Sequence, residues 1–597
     1  MREIHETVLI PTPVATRLSD DVVRHGTETP GRVLLSRRVD GAWRDVTAGD
    51  FLAEVRAVAK GLIASGVQVG DRVGLMSRTR YEWTLVDYAV WFAGGVTVPI
   101  YETSSAEQVE WILSDSGAVA VVLESEKHAA VQAEVAERLR PDLRVVVIDR
   151  GDLEGLRAAG APVSDEELES RRTAVSATDL ATIIYTSGTT GRPKGCSLSH
   201  LSFAFEAENV VASVPEIFTD PDCSTLLFLP LAHVFGRIIQ IACISSGVRL
   251  GHSPDVTNLL PDLAEFRPTF LLAVPRVFEK IFNGSRQKAI EGGRGPIFVR
   301  AAAVAIAYSE ALDAGGAGLW LKAQHALFDR LVFSKLRDAM GGQVRWAVSG
   351  GAPLGARLGH FFRGIDVTIL EGYGLTETAG ATTVNRPDVL RIGTVGRPFP
   401  GAAVRIADDG EVLLAGPHIF DGYWNNPQAS AEVLEPDGWF HTGDLGALDE
   451  AGYLTITGRK KELLVTAGGK NVAPAVLEDR LRGHWIVSQC MVVGDARPYI
   501  AALVTVDPDS FPVWKAEHGK DADASLADLL DDPDLLASVQ HAVDDANRAV
   551  SKAESIRRFR ILPVDWTETG GQLTPSMKLK RAGVMSEFAV DIEALYS

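Results

Sequence analysis

From about Asp50 onward, apolar positions along the chain switch repeatedly between two spacings. Ala53–Ala64 places its apolar residues three and four apart, on one face of a helix, and Asp71–Met76 follows as a short strand-like run. The pair recurs as Tyr81–Phe92 (helix) with Gly95–Tyr101 (strand), and as Ser105–Ser114 (helix) with Val119–Leu123 (strand). Arg144–Ile148 adds a further strand. Helix and strand in alternation predict parallel strands joined by crossover helices, a doubly wound α/β layer.

A second set of the same kind runs from Leu226 to Ile369, with strand-like segments TFLLAVP and VRWAVSGG. Inside it, Ser285–Met340 is Ala-rich and helical in pattern, broken by glycine pairs at Gly292–Gly293 and Gly315–Gly316. After Arg391 the pattern changes to short strands between Gly, Pro and Asp turns, which predicts a small β-rich subdomain. From Arg459 to the end, strands (CMVVGD, ALVTVD) mix with charged helices, as in a compact α+β unit. The expected fold class is therefore α/β. Residues 1–459 form a large domain of two doubly wound subdomains plus the β-rich one, and 460–597 form a small C-terminal α+β domain.

Composition narrows the function. A net charge of −19 argues against nucleic acid as a partner, and it requires any polyanion site to build its positive character locally. Cys196, Cys223, Cys243 and Cys490 are scattered without metal or CxxC spacing, as expected of reduced thiols in a cytoplasmic protein. The N-terminus lacks the pattern of a signal peptide, and no apolar run reaches the ~18–20 residues of a bilayer span. A soluble protein is expected, which a lipid substrate could still bring to a membrane surface for peripheral contact.

The densest chemistry lies in Ala181–Gly195, ATIIYTSGTTGRPKG. A buried-strand pattern ends in Thr186, Ser187, Gly188, Thr189, Thr190 and Gly191, and Lys194 follows. Glycines admit an anion close to the backbone, hydroxyls and N–H groups donate to phosphate oxygens, and the lysine supplies charge. It is not a Walker A loop, because Pro193 precedes the lysine and Gly195 follows it.

TSGTTGRPKG resembles the phosphate loop of the adenylate-forming superfamily, which comprises acyl- and aryl-CoA synthetases, peptide-synthetase adenylation domains and beetle luciferases. Further motifs follow in that family's order, over nearly the whole chain. SGGAP carries Gly350, Gly351 and Ala352, which by resemblance lie against adenine. EGYGLTETA carries Glu371, Gly372, Tyr373, Gly374, Thr376 and Glu377. The resemblance implies that Tyr373 stacks on adenine, Thr376 contacts the α-phosphate and Glu377 helps hold Mg²⁺, a hard ion suited to a carboxylate. WFHTGDLG supplies Asp444 for the ribose hydroxyls, and GYLTITGRKKELL adds Ile456 and Arg459 to the nucleotide site and Lys461 as the hinge between domains. Many relatives carry aspartate at that hinge.

The same resemblance makes Gly468, Gly469, Lys470 and Asn471 the loop that approaches the thiol tunnel, and Lys578, in LTPSMKLKR, the lysine of adenylate formation. His233, in FLPLAHVFGR, would lie beside the acyl carbonyl; the alternative is a histidine satisfied by core hydrogen bonds. FLPLAHVFGR, the helical insertion and GRKKELLVTAGGKNVAP are most similar to long-chain fatty acyl-CoA synthetases. The implied activity is ATP-dependent ligation of a long-chain fatty acid to coenzyme A through an acyl-adenylate, with Mg²⁺. Alternatives are a fatty acyl-AMP ligase that loads a carrier protein, a luciferase-like oxygenase, and a non-catalytic nucleotide- or acyl-binding protein.

Overall fold

A computed structural model describes residues 2–13, 17–186, 192–255, 258–568, 570–574 and 578–597. Among the described residues, two large sheets carry the first domain. One runs, in spatial order, Gly422–Tyr423, Lys194–Ser199, Leu180–Thr186, Val96–Ile100, Arg72–Met76, Ala120–Leu123 and Arg144–Val147. Its inner strands are parallel, and the helices Tyr81–Phe92 and Ala106–Ser116 make the crossovers that the sequence spacing predicts. Strand Val96–Ile100 is buried at every position, so its near-continuous apolar run reflects helices covering both faces.

The second sheet is built around Thr368–Leu375, Trp346–Ser349, Phe270–Ala273, Ser224–Leu227 and Arg249–His252. Val33–Val39 and Ala42–Thr47 extend it at one edge. These strands precede the first sheet in the chain but complete the second, a long-range pairing that local periodicity does not encode. The third sheet is the β-rich subdomain: Ala403–Ile406, Glu411–Ala415, Phe440–Leu448 and Leu454–Arg459, closed at its edge by the N-terminal strand Glu3–His5.

Between the two large sheets lies a polar group with no exposure at all: the side chains of Arg237 and Asp87. Asp87 Oδ2 accepts from Arg237 Nε at 3.2 Å and from Gln240 Nε2 at 3.1 Å, and the guanidinium lies over the rings of Trp83 and Trp91. Such a pair adds little net stability once desolvation is counted, but it fixes one arrangement of the elements it joins. Those elements are helix Tyr81–Phe92 and helix Val234–Ser246, and the second begins at His233.

The Ala-rich insertion forms helices Pro275–Glu291, Gly295–Asp313 and Leu319–Phe328, interrupted at the two glycine pairs. By length and composition Gly295–Asp313 could span a bilayer, at 19 residues and mean hydropathy 1.3. This corrects the expectation that no apolar run is long enough. In the fold it serves as a packing element: Ala301 and Ala305 are fully buried, and a Cβ on Gly364 would stand 2.1 Å from the Ala305 carbonyl oxygen.

Residues beyond 460 have cores of their own. Leu477, Trp514, Val539 and Val504 anchor one, and Met491, Trp566 and Val584 a second, on opposite faces of the sheet Val487–Val493, Ile500–Val506, Ile556–Ile561. This unit meets the first domain along helix Pro275–Glu291. Arg276 reaches Asp507 at 2.9 Å and Ser488 at 3.1 Å, Arg286 lies 4.1 Å over the ring of Trp485, and Arg357 donates to the Gly483 carbonyl at 2.9 Å.

Candidate nucleotide and acyl site

Leu180–Thr186 and Lys194–Ser199 pair antiparallel, with Thr186 opposite Lys194, so these two strands bracket the expected phosphate loop. A Walker A loop leads into a helix; here strand Lys194–Ser199 follows, and Lys194 at its start is the cation expected to supply charge. Ser187, Gly188, Thr189, Thr190 and Gly191 lie outside the described residues. The loop's far end is held by Trp111, whose indole N–H donates to the Pro193 carbonyl at 2.8 Å while Arg192 lies 4.7 Å over the same ring.

A second hairpin, Thr368–Leu375 with Gly380–Val384, carries EGYGLTETA. Gly374 is obligatory there, since a Cβ would lie 1.7 Å from the Gly380 carbonyl oxygen. The turn is the short helix Thr376–Thr378, closed by Ala379 at φ +55° and by Thr378 Oγ1, which donates to the Gly380 carbonyl at 2.7 Å. Below it, the buried Glu206 accepts the Ala381 N–H at 2.7 Å, and burial pushes its carboxyl far above the usual range.

Glu377 projects from this turn and accepts from the Tyr423 hydroxyl at 2.8 Å. Lys194 Nζ stands 4.7 Å over the Tyr423 ring. One tyrosine thus joins the phosphate-loop lysine to the acid expected to meet Mg²⁺. No sequence motif points to Tyr423. Its strand pairs with Cys196 and Ser197 across more than two hundred residues of chain, and no local pattern announces that.

Asp444 is almost fully buried, and its oxygens face two partners: Tyr373 donates its hydroxyl at 2.7 Å, and Arg459 Nε lies at 3.1 Å. Arg459 stands directly opposite Asp444 in the β-rich sheet, with Ile456 half-buried three residues earlier on the same strand. Burial would lower the Arg459 pKa, but Asp444 beside it holds it above the ordinary value.

The SGGAP turn meets the second hairpin edge on. Ser349 pairs with Glu371, and Gly350 faces Phe235 and the Gly372 carbonyl, where a Cβ would approach to 3.3 and 3.4 Å. Gly351 takes φ +81° to make the turn past Ala352. Glu371 Oε1 accepts the Leu354 N–H at 3.0 Å. Burial first, and then the Asp479 carboxylate of the C-terminal domain, push Glu371 up to about 7.

His233 caps helix Val234–Ser246, its Nδ1 accepting the Phe235 N–H at 3.1 Å. Burial, reinforced by the nearby Lys578 charge, lowers its pKa to about 3. The ring is therefore neutral, and with Nδ1 an acceptor its proton sits on Nε2. The capping bond is the core-type satisfaction weighed from the sequence; it leaves Nε2–H as a donor.

Lys578 comes from the C-terminal domain. Its backbone N–H donates to Thr574 Oγ1 at 3.0 Å. Lys578 is exposed, and desolvation by the surrounding protein, then Arg459, lowers its pKa, while Asp444, Glu377 and Glu462 act in the opposite direction. Lys578 is thereby within electrostatic reach of His233, Arg459, Asp444 and Glu377, residues of four different segments.

Lys461 is exposed in the short helical turn Lys460–Glu462, and its neighbour Lys460 is tied to Glu411 of the first domain at 3.0 Å. The Gly468–Asn471 segment is also exposed. Gly469 takes φ +77°, and Lys470 pairs with Glu554 at 3.2 Å, within its own domain. The geometry therefore groups Lys194, Tyr373, Glu377, Asp444, Arg459, His233 and Lys578, and it leaves the Gly468–Asn471 loop apart from them.

Among the described residues no group of three or more His, Cys, Asp or Glu could hold a metal. A lone carboxylate such as Glu377 fits Mg²⁺ carried in on nucleotide phosphates, which is how that ion is commonly bound.

Comparison with known proteins shows the family. Residues 22–424 match the AMP-binding enzyme family, and residues 461–597 match the AMP-binding enzyme C-terminal domain. The chain is 54% identical to "Long-chain-fatty-acid--CoA ligase FadD15" of Mycobacterium bovis, with 100% of both chains covered. It is 32% identical to "Long chain acyl-CoA synthetase 7, peroxisomal" of Arabidopsis thaliana, over 93% of this chain and 82% of that one. Among solved structures it is similar to the anthranilate CoA ligase AuaEII in complex with anthranoyl-AMP, with a TM-score of 0.74, 21% identity, and 98% and 99% of the two chains covered. A Mycobacterium tuberculosis fatty acyl CoA synthetase gives a TM-score of 0.62 at 22% identity, with 96% and 99% covered. At such identities the structural likeness establishes the fold.

Proposed function

Because the chain belongs to the AMP-binding enzyme family, we propose that it ligates a long-chain fatty acid to coenzyme A at the expense of ATP, through an acyl-adenylate. The observation that supports this reading best is the position of Lys578, delivered by the C-terminal domain to a cleft already holding Asp444, Arg459, Glu377 and His233. A carboxylate that attacks a phosphate meets anion–anion repulsion, and an ammonium between the two relieves it. Preorganised charge of this kind is often the largest catalytic contribution.

In the first half-reaction a carboxylate oxygen of the acid attacks the α-phosphorus of ATP, and the bond to pyrophosphate breaks. Lys578 neutralises the charge that gathers between them. Lys194 holds the outer phosphates, Thr376 the α-phosphate, and Asp444 with Arg459 the ribose, while Tyr373 and the Gly350–Ala352 turn enclose adenine. Glu377 would hold Mg²⁺, which when bound neutralises phosphate charge. Neutral His233 orients the acid with its Nε2–H. In the second half-reaction the CoA thiol attacks the acyl carbonyl and the bond to AMP breaks. Rotation about Lys461 would withdraw Lys578 and bring Gly468–Asn471 to the acyl group, a hinge motion of a known kind. The exposed, separate position of that loop agrees with a structure poised for the first step.

The long-chain acid and the CoA acceptor follow from the full-length similarity to FadD15. Four buried cysteines, all free thiols, agree with a cytoplasmic setting.

The half-reactions separate the roles. Lys578→Ala should lower acid-dependent pyrophosphate release by about two orders of magnitude or more, the scale of losing one preorganised charge contact. It should leave thioester formation from supplied acyl-AMP largely intact. Equal loss of both half-reactions would contradict the assignment.

A further inference from the structure

The helical insertion carries a surface that the ligase chemistry does not use. Helix Leu319–Phe328 continues through a π-helical turn, Asp329–Phe333, into helix Ser334–Ala339. Its inner face is ordinary core: Phe328, Phe333 and Leu336 are buried, and His325 stacks on Tyr308 and bonds the Gly364 carbonyl at 2.7 Å. Its outer face is the reverse of a water-facing surface. Trp320, Ala323, Leu327 and Leu331 recur at helical spacing along one stripe, all exposed, and Leu319 stands beside them. Leu319 is 87%, Trp320 75%, Leu327 56% and Leu331 49% exposed. A lone exposed leucine means nothing, but an aligned stripe of large apolar residues marks a contact surface.

Charge identifies the occupant. The chain carries −19, yet residues 285–340 hold eight lysines and arginines against five acids. Along the stripe, Asp329 is taken up by Arg337 at 2.7 Å. Lys322, Arg330 and Lys335 are exposed and have no acidic partner among the described residues. An apolar stripe flanked by uncommitted cations on long stems suits the boundary of an anionic bilayer, where the stems lie along apolar surface and the charges reach lipid phosphates.

We propose that the stripe Leu319–Leu331 is a docking face for anionic membrane surfaces, lying in the plane of the headgroups. The proposal rests on the fatty-acid reading above for its purpose, since such an acid partitions into bilayers. The insertion is tied to the site: Arg363, at the end of the helix that follows the adenine turn, donates to the Ser309 hydroxyl at 2.7 Å.

The test is flotation of the full chain, without ATP or acid, on vesicles of phosphatidylcholine with and without phosphatidylglycerol. The wild type should float with the anionic vesicles and far less with neutral ones. Trp320→Ser combined with Leu327→Ser should weaken partitioning at least about ten-fold, as expected for removing two large apolar groups from the interface. Lys322→Glu with Arg330→Glu should abolish the preference for anionic lipid. All these residues are exposed, and pyrophosphate release from detergent-dispersed acid should be unchanged in each variant, which reports an intact fold. A wild type that stays in the aqueous fraction overturns the proposal, as do variants that float like it. So does a Trp320→Ser/Leu327→Ser variant that dissociates a dimer without changing vesicle binding, for then a second copy covers the face. A chain that floats as predicted but activates no acid leaves this face standing and removes the ligase reading.

Discussion

Tyr423 shows how one side chain can link two motifs that lie far apart in sequence. Its hydroxyl bonds Glu377 and its ring underlies Lys194, so the acid and the lysine are oriented by the same group. Removing only the hydroxyl leaves the ring under Lys194 and frees the carboxylate. Tyr423→Phe should therefore raise the Mg²⁺ concentration needed for half-maximal pyrophosphate exchange by about ten-fold or more, the range typical of groups that orient a metal ligand. An unchanged Mg²⁺ titration would show that Glu377 needs no such support. The motif residues Glu377, Asp444 and Lys578 were legible because each sits in a dense local pattern. Tyr423, Trp111 and Glu206 were not, because their partners arrive through the fold from remote segments.

At the scale of elements, the hairpin Thr368–Val384 is the meeting point of both domains. Its Glu371 ties down the turn after Gly350–Ala352 through Leu354 and faces Asp479 of the C-terminal domain. In the fold Glu371 keeps its proton up to about pH 7, whereas an ordinary glutamate ionises near 4.5. Between those values the folded chain binds the extra proton, so rising pH costs stability there, and the cost is complete above about 7. Glu371→Gln keeps the acceptor for the Leu354 N–H and removes the titration. Its melting temperature relative to wild type should accordingly rise between pH 5 and pH 8. A difference that is the same at both values, or that falls, would contradict the raised pKa.

Periodicity located the inner elements closely: the helix expected at Tyr81–Phe92 spans those residues, and the glycine pairs break the insertion where expected. It missed the edges. Glu3–His5 and Val33–Thr47 join sheets built from much later residues, and pairing across such distances leaves no local trace. It also gave Ala181–Gly195 as a strand followed by a loop, without the returning strand Lys194–Ser199 that pairs with Leu180–Thr186.

For the whole molecule, the seam between domains decides which chemistry the cleft can perform. Arg276 with Asp507, Arg286 on Trp485 and Arg357 with Gly483 hold the small domain where Lys578 lies within electrostatic reach of His233, Asp444 and Glu377. The same placement leaves Gly468–Asn471 facing solvent, so under the proposed hinge motion these contacts break before the second half-reaction. Their polar, half-buried character suits a seam that opens, since interfaces of this kind are held less firmly than a continuous apolar core. The proposal that one site adenylates a fatty acid and then transfers it to CoA is tested most directly by a single product analysis. Acids of graded chain length are incubated with ATP and Mg²⁺, with and without CoA, and pyrophosphate, acyl-AMP and acyl-CoA are quantified together. The account predicts greatest turnover with long-chain acids, one acyl-CoA formed per pyrophosphate when CoA is present, and acyl-AMP retained when it is not. Acyl-AMP that persists unchanged after CoA is added, or no pyrophosphate from any fatty acid, would contradict it.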